Sequence, residues 1–181
     1  MTCFFNLTFD TKCSEQLTVV NADFASYDYT SLWEGRSCAP LPSAAQLVVV
    51  GEPSDLIANP YSLTIVSKRF LDLIGESWRC DLQIFDAPLV TVSGTQVAGY
   101  YVVNCVRRIS CLDRKRAKYH FDEDEPDEFV VLELRVDPEL VPPEVAVFRV
   151  DECPYRGLIF RESAVTPLVK QGIRGIAFIR C

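Results

Sequence analysis

The residues with the most reactive side chains in this sequence are one histidine and eight cysteines. His120 is the sole histidine, so any Cys–His or Ser–His scheme would need it as the general base. It lies next to a run of carboxylates, which is more typical of a surface histidine than of a catalytic one. Cys105 and Cys111 have arginines nearby in the sequence, a setting that can lower a thiol pKa, and they are minor candidate nucleophiles.

The spacing of these residues favours neither a metal site nor a known catalytic motif. No two cysteines form the Cys-x-x-Cys pair that a zinc ribbon uses to bring four ligands within about 2.3 Å of the metal. The sequence also lacks a Gly-x-Ser-x-Gly elbow, a P-loop and a Gly-x-Gly-x-x-Gly turn. We therefore expect no catalytic residues, no metal and no cofactor, and we interpret most cysteines as reduced thiols.

Charge is divided between two neighbouring segments. Residues 107–118 hold six of the 18 basic residues, and residues 122–128 hold six acidic ones. The acidic residues are Asp122, Glu123, Asp124, Glu125, Asp127 and Glu128. One interpretation is a hairpin tip that keeps a sheet edge soluble. The other is a docking surface for a basic partner, because long-range attraction accelerates association.

A net charge of −7 disfavours binding to nucleic acid. The basic segment could hold a phosphate, but no aromatic residues interleave it and no glycine loop leads into it. No apolar stretch reaches the roughly 20 residues that a membrane helix needs. The first nine residues carry no lysine or arginine and alternate like a strand, unlike a signal peptide. We expect a cytoplasmic protein that binds neither nucleic acid nor membranes.

The apolar pattern predicts one α+β domain over residues 1–181, with a mixed or mainly antiparallel sheet and a few short helices. Gly99–Val106 is so apolar that it should be a central strand. The predicted helices cover 27–34 (capped by Ser26), the segment between Ser67 and Gly75, and 162–171. The predicted strands cover 2–9, 46–50, 63–66, 81–85, 90–97, 99–106, 129–136, 145–150, 158–160 and 175–180.

Two of these segments form a weak repeat of strand, helix and strand, over 63–85 and 158–180. Ser67 should cap the first helix, with Phe70, Leu71 and Ile74 inward. Val165, Leu168 and Val169 should face inward in the second helix. Pro167 is tolerated only near a helix start, so this helix should begin nearer Thr166 than Glu162. Duplication and convergent packing explain the likeness equally well.

Several blocks of the chain resemble one protein family. They include residues 99–114 (Gly-Tyr-Tyr-Val-Val-Asn-Cys-Val-Arg-Arg-Ile-Ser-Cys-Leu-Asp-Arg), 63–71, 134–137, 148–150, 158–160 and 172–178. Over roughly residues 45–181 the chain resembles the eleventh immunity-protein family of bacterial polymorphic toxin systems. The residues that match its signature are Gly99, Tyr100, Tyr101, Asn104, Cys111 and Asp113.

The resemblance implies a non-enzymatic antidote that binds a cognate toxin delivered by contact-dependent or type VI secretion. Our leading hypothesis is occlusion of the toxic domain by a pre-formed surface. Candidate aromatic anchors are Tyr27, Tyr29, Trp33, Trp78 and Tyr155. The alternatives are a small cytosolic enzyme, with a cleft that pairs His120 or a thiol with an acid or base, and a homodimeric scaffold or regulatory protein. The sequence leaves open whether the protein is a monomer or a homodimer.

Overall fold

Short apolar runs form short strands, and the computed structural model has fourteen of them within the residues it describes, 2–12, 15–121 and 129–181. The strands are β1 (Phe4–Phe9), β2 (Thr18–Asp23), β3 (Gln46–Val50), β4 (Ile65–Ser67), β5 (Leu82–Asp86), β6 (Leu89–Thr91), β7 (Gln96–Val97), β8 (Tyr100–Cys105), β9 (Arg108–Ile109), β10 (Lys118–Phe121), β11 (Phe129–Glu133), β12 (Val147–Val150), β13 (Ile159–Arg161) and β14 (Ile176–Arg180). The helices are α1 (Thr30–Glu34), α2 (Lys68–Ile74) and α3 (Glu162–Lys170), with 3-10 turns at Glu76–Asp81 and Pro154–Arg156. The α+β prediction is confirmed.

The two strand–helix–strand segments have the same topology. Strands β4 and β5 pair antiparallel with opposite edges of β8, and β13 and β14 do the same with β1. Strand β8 is therefore central to its sheet, as predicted. The third, fourth and seventh residues of each helix are buried, and α2 contacts α3. These residues are Phe70, Leu71 and Ile74 in α2 and Ala164, Val165 and Leu168 in α3.

The predicted start of α2 is confirmed, and that of α3 is wrong. The Ser67 hydroxyl accepts a hydrogen bond from the Phe70 amide at 3.1 Å, as a cap should. Helix α3 begins at Glu162 and runs through Pro167. Because Pro167 has no backbone N–H, the Ser163 carbonyl lacks its helical hydrogen-bond donor. Ser163 is exposed, so this carbonyl can accept a hydrogen bond from water instead. Val169 was expected to be buried, but it faces solvent on the outer side of α3.

The N-terminal half contains three further corrections. Helix α1 begins at Thr30 because Ser26 has a φ of +65° and does not cap it, while Asp28 accepts the Thr30 amide at 3.0 Å. The strand predicted over 90–97 is a hairpin of β6 and β7 with a tight turn between them. Strand β2 was not predicted, although it pairs with β3 along its whole length.

The strands lie in four sheets. A five-stranded sheet has the order β14-β1-β13-β12-β9, a four-stranded sheet the order β2-β3-β6-β7, and a three-stranded sheet the order β4-β8-β5. Strands β10 and β11 form a separate two-stranded sheet. Pairing is antiparallel except for β3 with β6 and β9 with β12. Among the described residues, no helix is long and apolar enough to cross a membrane.

Candidate functional site

One feature exposed for contact with another protein is the hairpin of β10 and β11, here called the arm (Lys118–Phe121 and Phe129–Glu133). Its strands pair with each other, with His120 opposite Val130 and Phe121 opposite Phe129. Within the described residues, neither strand is paired with a strand of another sheet. A two-stranded hairpin alone is only marginally stable, so packing must hold the arm in place.

The inner face of the arm is aromatic and rests on the core. The rings of Tyr119, Phe121 and Phe129 contact one another, with centroids 5.5 to 6.2 Å apart. The Arg114 guanidinium lies over the Phe129 ring at 5.2 Å, a cation–π contact. Val131 is fully buried in the hydrophobic cluster that includes Phe4 and Phe148. These contacts fix the arm to the body of the protein.

Side chains also hold the base and the outer edge of the arm. The Tyr155 hydroxyl accepts a hydrogen bond from the Val131 amide at 3.2 Å, and Arg156 donates to the Leu132 carbonyl at 3.3 Å. Glu133 forms ion pairs with Lys118, at 2.6 Å, and with Arg135. The Lys118 ammonium, together with Arg135, lowers the pKa of Glu133. The arm is therefore positioned before any partner arrives.

The outer face of the arm is apolar and exposed. Val130 and Leu132 keep 49% and 61% of their surface accessible, and Phe121, at the far end of the inner face, keeps 51%. His120 is exposed beside Val130 on this outer face. Clusters of exposed large apolar side chains often mark interaction surfaces.

The six acidic residues proposed as partner contacts, Asp122 to Glu128 without Pro126, lie outside the described residues. Their charge still follows from the sequence. The chain has 25 acidic residues, so 19 remain outside this run, against 18 basic ones. Nearly all of the net charge of −7 therefore belongs to the segment that connects the two strands of the arm.

The signature residue Asn104 lies inside the protein, not on the arm. Its side chain is fully buried, and Nδ2 donates to the Arg36 carbonyl at 2.7 Å and to Gln83 Oε1 at 3.0 Å. Gln83, opposite Asn104 on β5, bonds in turn to both the amide and the carbonyl of Cys38, each at 3.1 Å. Asn104 therefore helps to fix the loop after α1 against β8.

Sequence reasoning missed a second buried polar contact close by. Arg149 is fully buried and donates to the carbonyls of Cys105, Pro154 and Leu32, at 3.3, 2.8 and 3.1 Å. Burial lowers the pKa of its guanidinium to about 10. Gly35 is required here, because a Cβ would lie 2.5 Å from Arg149 Cδ and its φ is +71°. An arginine between apolar neighbours in a strand gave no sequence signal for this role.

The other signature residues on β8 or directly before it also make internal contacts. Gly99 has a φ of +83°, and its carbonyl accepts the amide of Lys68 at the start of α2, at 2.8 Å. Tyr100 is half-buried, pairs with Ser67, and has its pKa raised by burial. Tyr101 pairs with Val66 and packs against the core around α2 and α3. These residues attach α2 to the three-stranded sheet.

The signature residues Cys111 and Asp113 lie just before the arm. Cys111 is fully buried, and burial raises the pKa of its thiol to about 12. Asp113 accepts hydrogen bonds from the amides of Lys115 and Arg116, at 3.0 and 3.1 Å, and from Arg116 Nε. The Arg116 guanidinium lowers the pKa of Asp113. The six signature residues thus do not converge on one site.

The candidate nucleophiles have the opposite electrostatics from an activated thiol. Burial raises the pKa of Cys105 to about 11, as it does for Cys111. A reactive thiol needs its pKa lowered, so both are protonated at neutral pH. In residues 2–12, 15–121 and 129–181 no group of three or more His, Cys, Asp or Glu side chains could hold a metal ion.

Most of the candidate aromatic anchors are not free for binding. Tyr27, Tyr29, Trp33 and Trp78 are half-buried. The Tyr27 hydroxyl donates to the Ala39 carbonyl at 2.5 Å, and the Tyr29 ring stacks on Phe24. Only Tyr155 among the five is exposed, and it lies at the base of the arm. Exposed apolar residues on the arm are therefore better candidates.

Comparison with known proteins gives one family. A search of curated proteins found no match. The model of the immunity protein family called Imm11 matches residues 40–181, which include the arm, the buried side chains of Asn104 and Arg149 and all six signature residues. Because this match covers most of the sequence, the chain belongs to the Imm11 family of immunity proteins.

Proposed function

We propose that this immunity protein binds the toxic domain of a cognate secreted toxin in the cytoplasm and occludes it, and that the arm is the centre of the interface. Family membership supports the toxin as partner. The observation that supports the arm as the interface is its exposed apolar surface, carried by a hairpin that packs against the hydrophobic core. Delivery of the toxin by a type VI or contact-dependent system is part of the proposal.

The apolar surface would supply the affinity. Phe121, Val130 and Leu132 each expose about half of their surface, and burying it gains on the order of 1 kcal/mol each. Val130 and Leu132 lie on the outer face of β11, so one complementary patch can cover both, and Phe121 adds apolar surface at the far end of the inner face. Truncation of residues at the centre of an interface usually reduces the binding free energy by more than their buried area predicts, because the residues of the partner lose contacts too.

The rigid support of the arm would make this binding efficient. Association is weakened when a loop has to be ordered first, and contacts that exist before binding reduce that cost. The Tyr155 hydroxyl on the Val131 amide and the ion pairs of Glu133 are contacts of this kind. The free protein then presents the same surface that the toxin binds.

The acidic run would supply the electrostatic part of recognition. Six carboxylates within residues 122–128 attract a cationic toxin surface over about one Debye length, roughly 8 Å at physiological salt. Such attraction raises the association rate more than the final affinity. A toxin whose active site binds an anionic substrate would present the cationic surface that this run requires.

The primary experiment is co-expression with the cognate toxin, for which the genes that flank this one are the first candidates. Rescue of growth and a stable complex that co-purifies would support the proposal. A toxin that stays lethal, with no complex formed between the purified proteins, would contradict it.

Surface variants then test the arm. Val130→Asp or Leu132→Asp should weaken the complex about tenfold or more, because each buries an unpaired charge in the interface. The matched control is Val20→Asp on β2, where the valine is 54% exposed but lies on another sheet. Dissociation constants from calorimetry, with thermal unfolding to verify the fold, give the comparison. Equal affinities for all three variants would exclude the arm.

A charge reversal tests the acidic run separately. Replacing Asp122, Asp124 and Glu125 by lysine should slow association and reduce its dependence on salt concentration. Stopped-flow measurements between low and high salt would show both effects. An unchanged rate at every salt concentration would remove the acidic run from the mechanism.

A further inference from the structure

Three arginines from distant parts of the sequence line one hollow of about 350 Å3 beside the base of the arm. They are Arg116, Arg135 and Arg180, and Thr2 and Phe4 line the same hollow. Its volume is within the range of small-ligand sites, roughly 300 to 1,000 Å3. None of its lining residues is acidic.

Each guanidinium is carried by a different part of the fold. Arg116 lies in the turn before β10, Arg135 follows β11, and Arg180 ends β14 opposite Phe5 of β1. The arginine from the basic segment 107–118 thus lines the same hollow as two arginines from later in the sequence. The three arginines come to the same hollow because β14 pairs with β1 and because β11 pairs antiparallel with β10.

Two carboxylates hold two of these arginines in position. Asp113 pairs with Arg116 at 2.5 Å, and Glu133 pairs with Arg135. Neither carboxylate lines the hollow, so they orient the guanidiniums without filling it. Arg180 has no carboxylate partner among the described residues. No carboxylate side chain lines the hollow, and Arg180 is the lining cation whose charge no described carboxylate neutralises, so the hollow favours a small anion.

The number of arginines indicates which anion. A guanidinium offers two parallel N–H donors, so a single arginine satisfies both oxygens of a carboxylate. Three arginines that line one hollow can together donate to a group with three peripheral oxygens and a charge near −2, which is a phosphate monoester or free phosphate. Phe4 is the aromatic residue that lines the hollow. It is not free to stack on a nucleotide base, because its ring packs edge-on against Phe148 and its face is covered by the Arg161 guanidinium.

We infer that this hollow binds the phosphate group of a small phosphorylated ligand, with Arg116, Arg135 and Arg180 as its donors. The inference does not depend on the toxin or on the arm as its binding surface. It gives a role to part of the basic segment that the immunity function leaves unexplained.

The test is a titration of the purified protein with inorganic phosphate, followed by calorimetry and thermal unfolding. Sodium chloride at matched ionic strength controls for screening, which alone affects a protein with a charge of −7. We expect saturable binding of phosphate with a rise in the unfolding temperature. Amide NMR shifts should be confined to residues near Thr2, Phe4 and the three arginines. Equal stabilisation by chloride would overturn the inference.

Variants assign the donors. Arg180→Gln and Arg135→Gln should each weaken phosphate binding by about tenfold or more, because each removes a charged hydrogen-bond donor. Arg180 is exposed and carries no ion pair with a described carboxylate, so its variant should fold even if Arg135→Gln does not. The control is Arg107→Gln, outside the hollow and 4.0 Å from Asp81. Unchanged binding by Arg180→Gln, or succinate binding as tightly as phosphate, would contradict the assignment.

Discussion

Replacing Asn104 by alanine should destabilise the fold and leave toxin binding intact. The substitution removes the hydrogen bonds from Nδ2 to the Arg36 carbonyl, at 2.7 Å, and to Gln83 Oε1, at 3.0 Å. Gln83 Oε1 retains the Cys38 amide, but the Arg36 carbonyl loses this donor. Two bonds at about 1 kcal/mol each, plus about 1 kcal/mol for the carbonyl and the small cavity, give a loss of about 3 kcal/mol.

Urea unfolding measures this loss directly. With a slope of about 2 kcal/mol per molar, the midpoint should fall by about 1.5 M. A double-mutant cycle with Gln83→Ala should show a coupling of about 1 kcal/mol, because the two side chains share one hydrogen bond. A change in unfolding free energy below about 0.5 kcal/mol would refute the structural role. Weaker toxin binding at unchanged stability would instead place Asn104 in the interface.

Three further outcomes follow from the buried contacts. Gly35→Ala should lower the free energy of unfolding by about 2 kcal/mol or more in urea, whereas Gly94→Ala, with a φ of +81° and no neighbour within 4 Å, should lose only about 1 kcal/mol. Arg149→Met should lower the free energy of unfolding by about 3 kcal/mol, because three carbonyls lose a charged donor. The urea midpoint should fall accordingly, and an unchanged midpoint would contradict this. At pH 8, iodoacetamide should label the exposed Cys80 well before Cys111, as mass spectrometry can follow.

The raised thiol pKa values also predict how stability depends on pH. In the folded protein burial raises the pKa of Cys105, Cys111, Cys153 and Cys181 to about 11 or 12, above the usual value for a thiol in the unfolded chain. Between these values the unfolded chain has lost protons that the folded protein keeps, so the free energy of unfolding falls as pH rises above about 9. Urea midpoints measured from pH 7 to 10 would reveal this decline. Stability that is constant or rising over this range would contradict the burial of these thiols.

Local patterns along the chain determined much of the fold. The apolar run of β8 predicted a central strand, since a strand buried on both faces has no polar side to alternate. Ser67 and the spacing of Phe70, Leu71 and Ile74 predicted α2, because its cap and its buried face are both local features. The resemblance to an immunity family rested on blocks of this kind and was confirmed over residues 40–181.

Contacts between distant residues were decided only by the tertiary structure. Pro167 was read as a helix start, but burial of Ala164 and Val165 against the sheets extends α3 toward Glu162 despite the lost hydrogen bond. The carbonyl acceptors of Arg149 are up to 117 positions away in the sequence, so no local pattern could reveal them.

The tertiary structure also decides the two proposed binding surfaces, the arm for the toxin and the arginine-lined hollow for phosphate. The sequence determined the charge of the segment 122–128, but the exposure of Val130 and Leu132 depends on which face of β11 packs against the core. The hollow with Arg116, Arg135 and Arg180 exists because β14 pairs with β1 beside the base of the arm. Residue types and local periodicity follow from the chain itself, whereas a surface depends on which distant strands pair, because pairing decides which side chains are buried and which stay in contact with water.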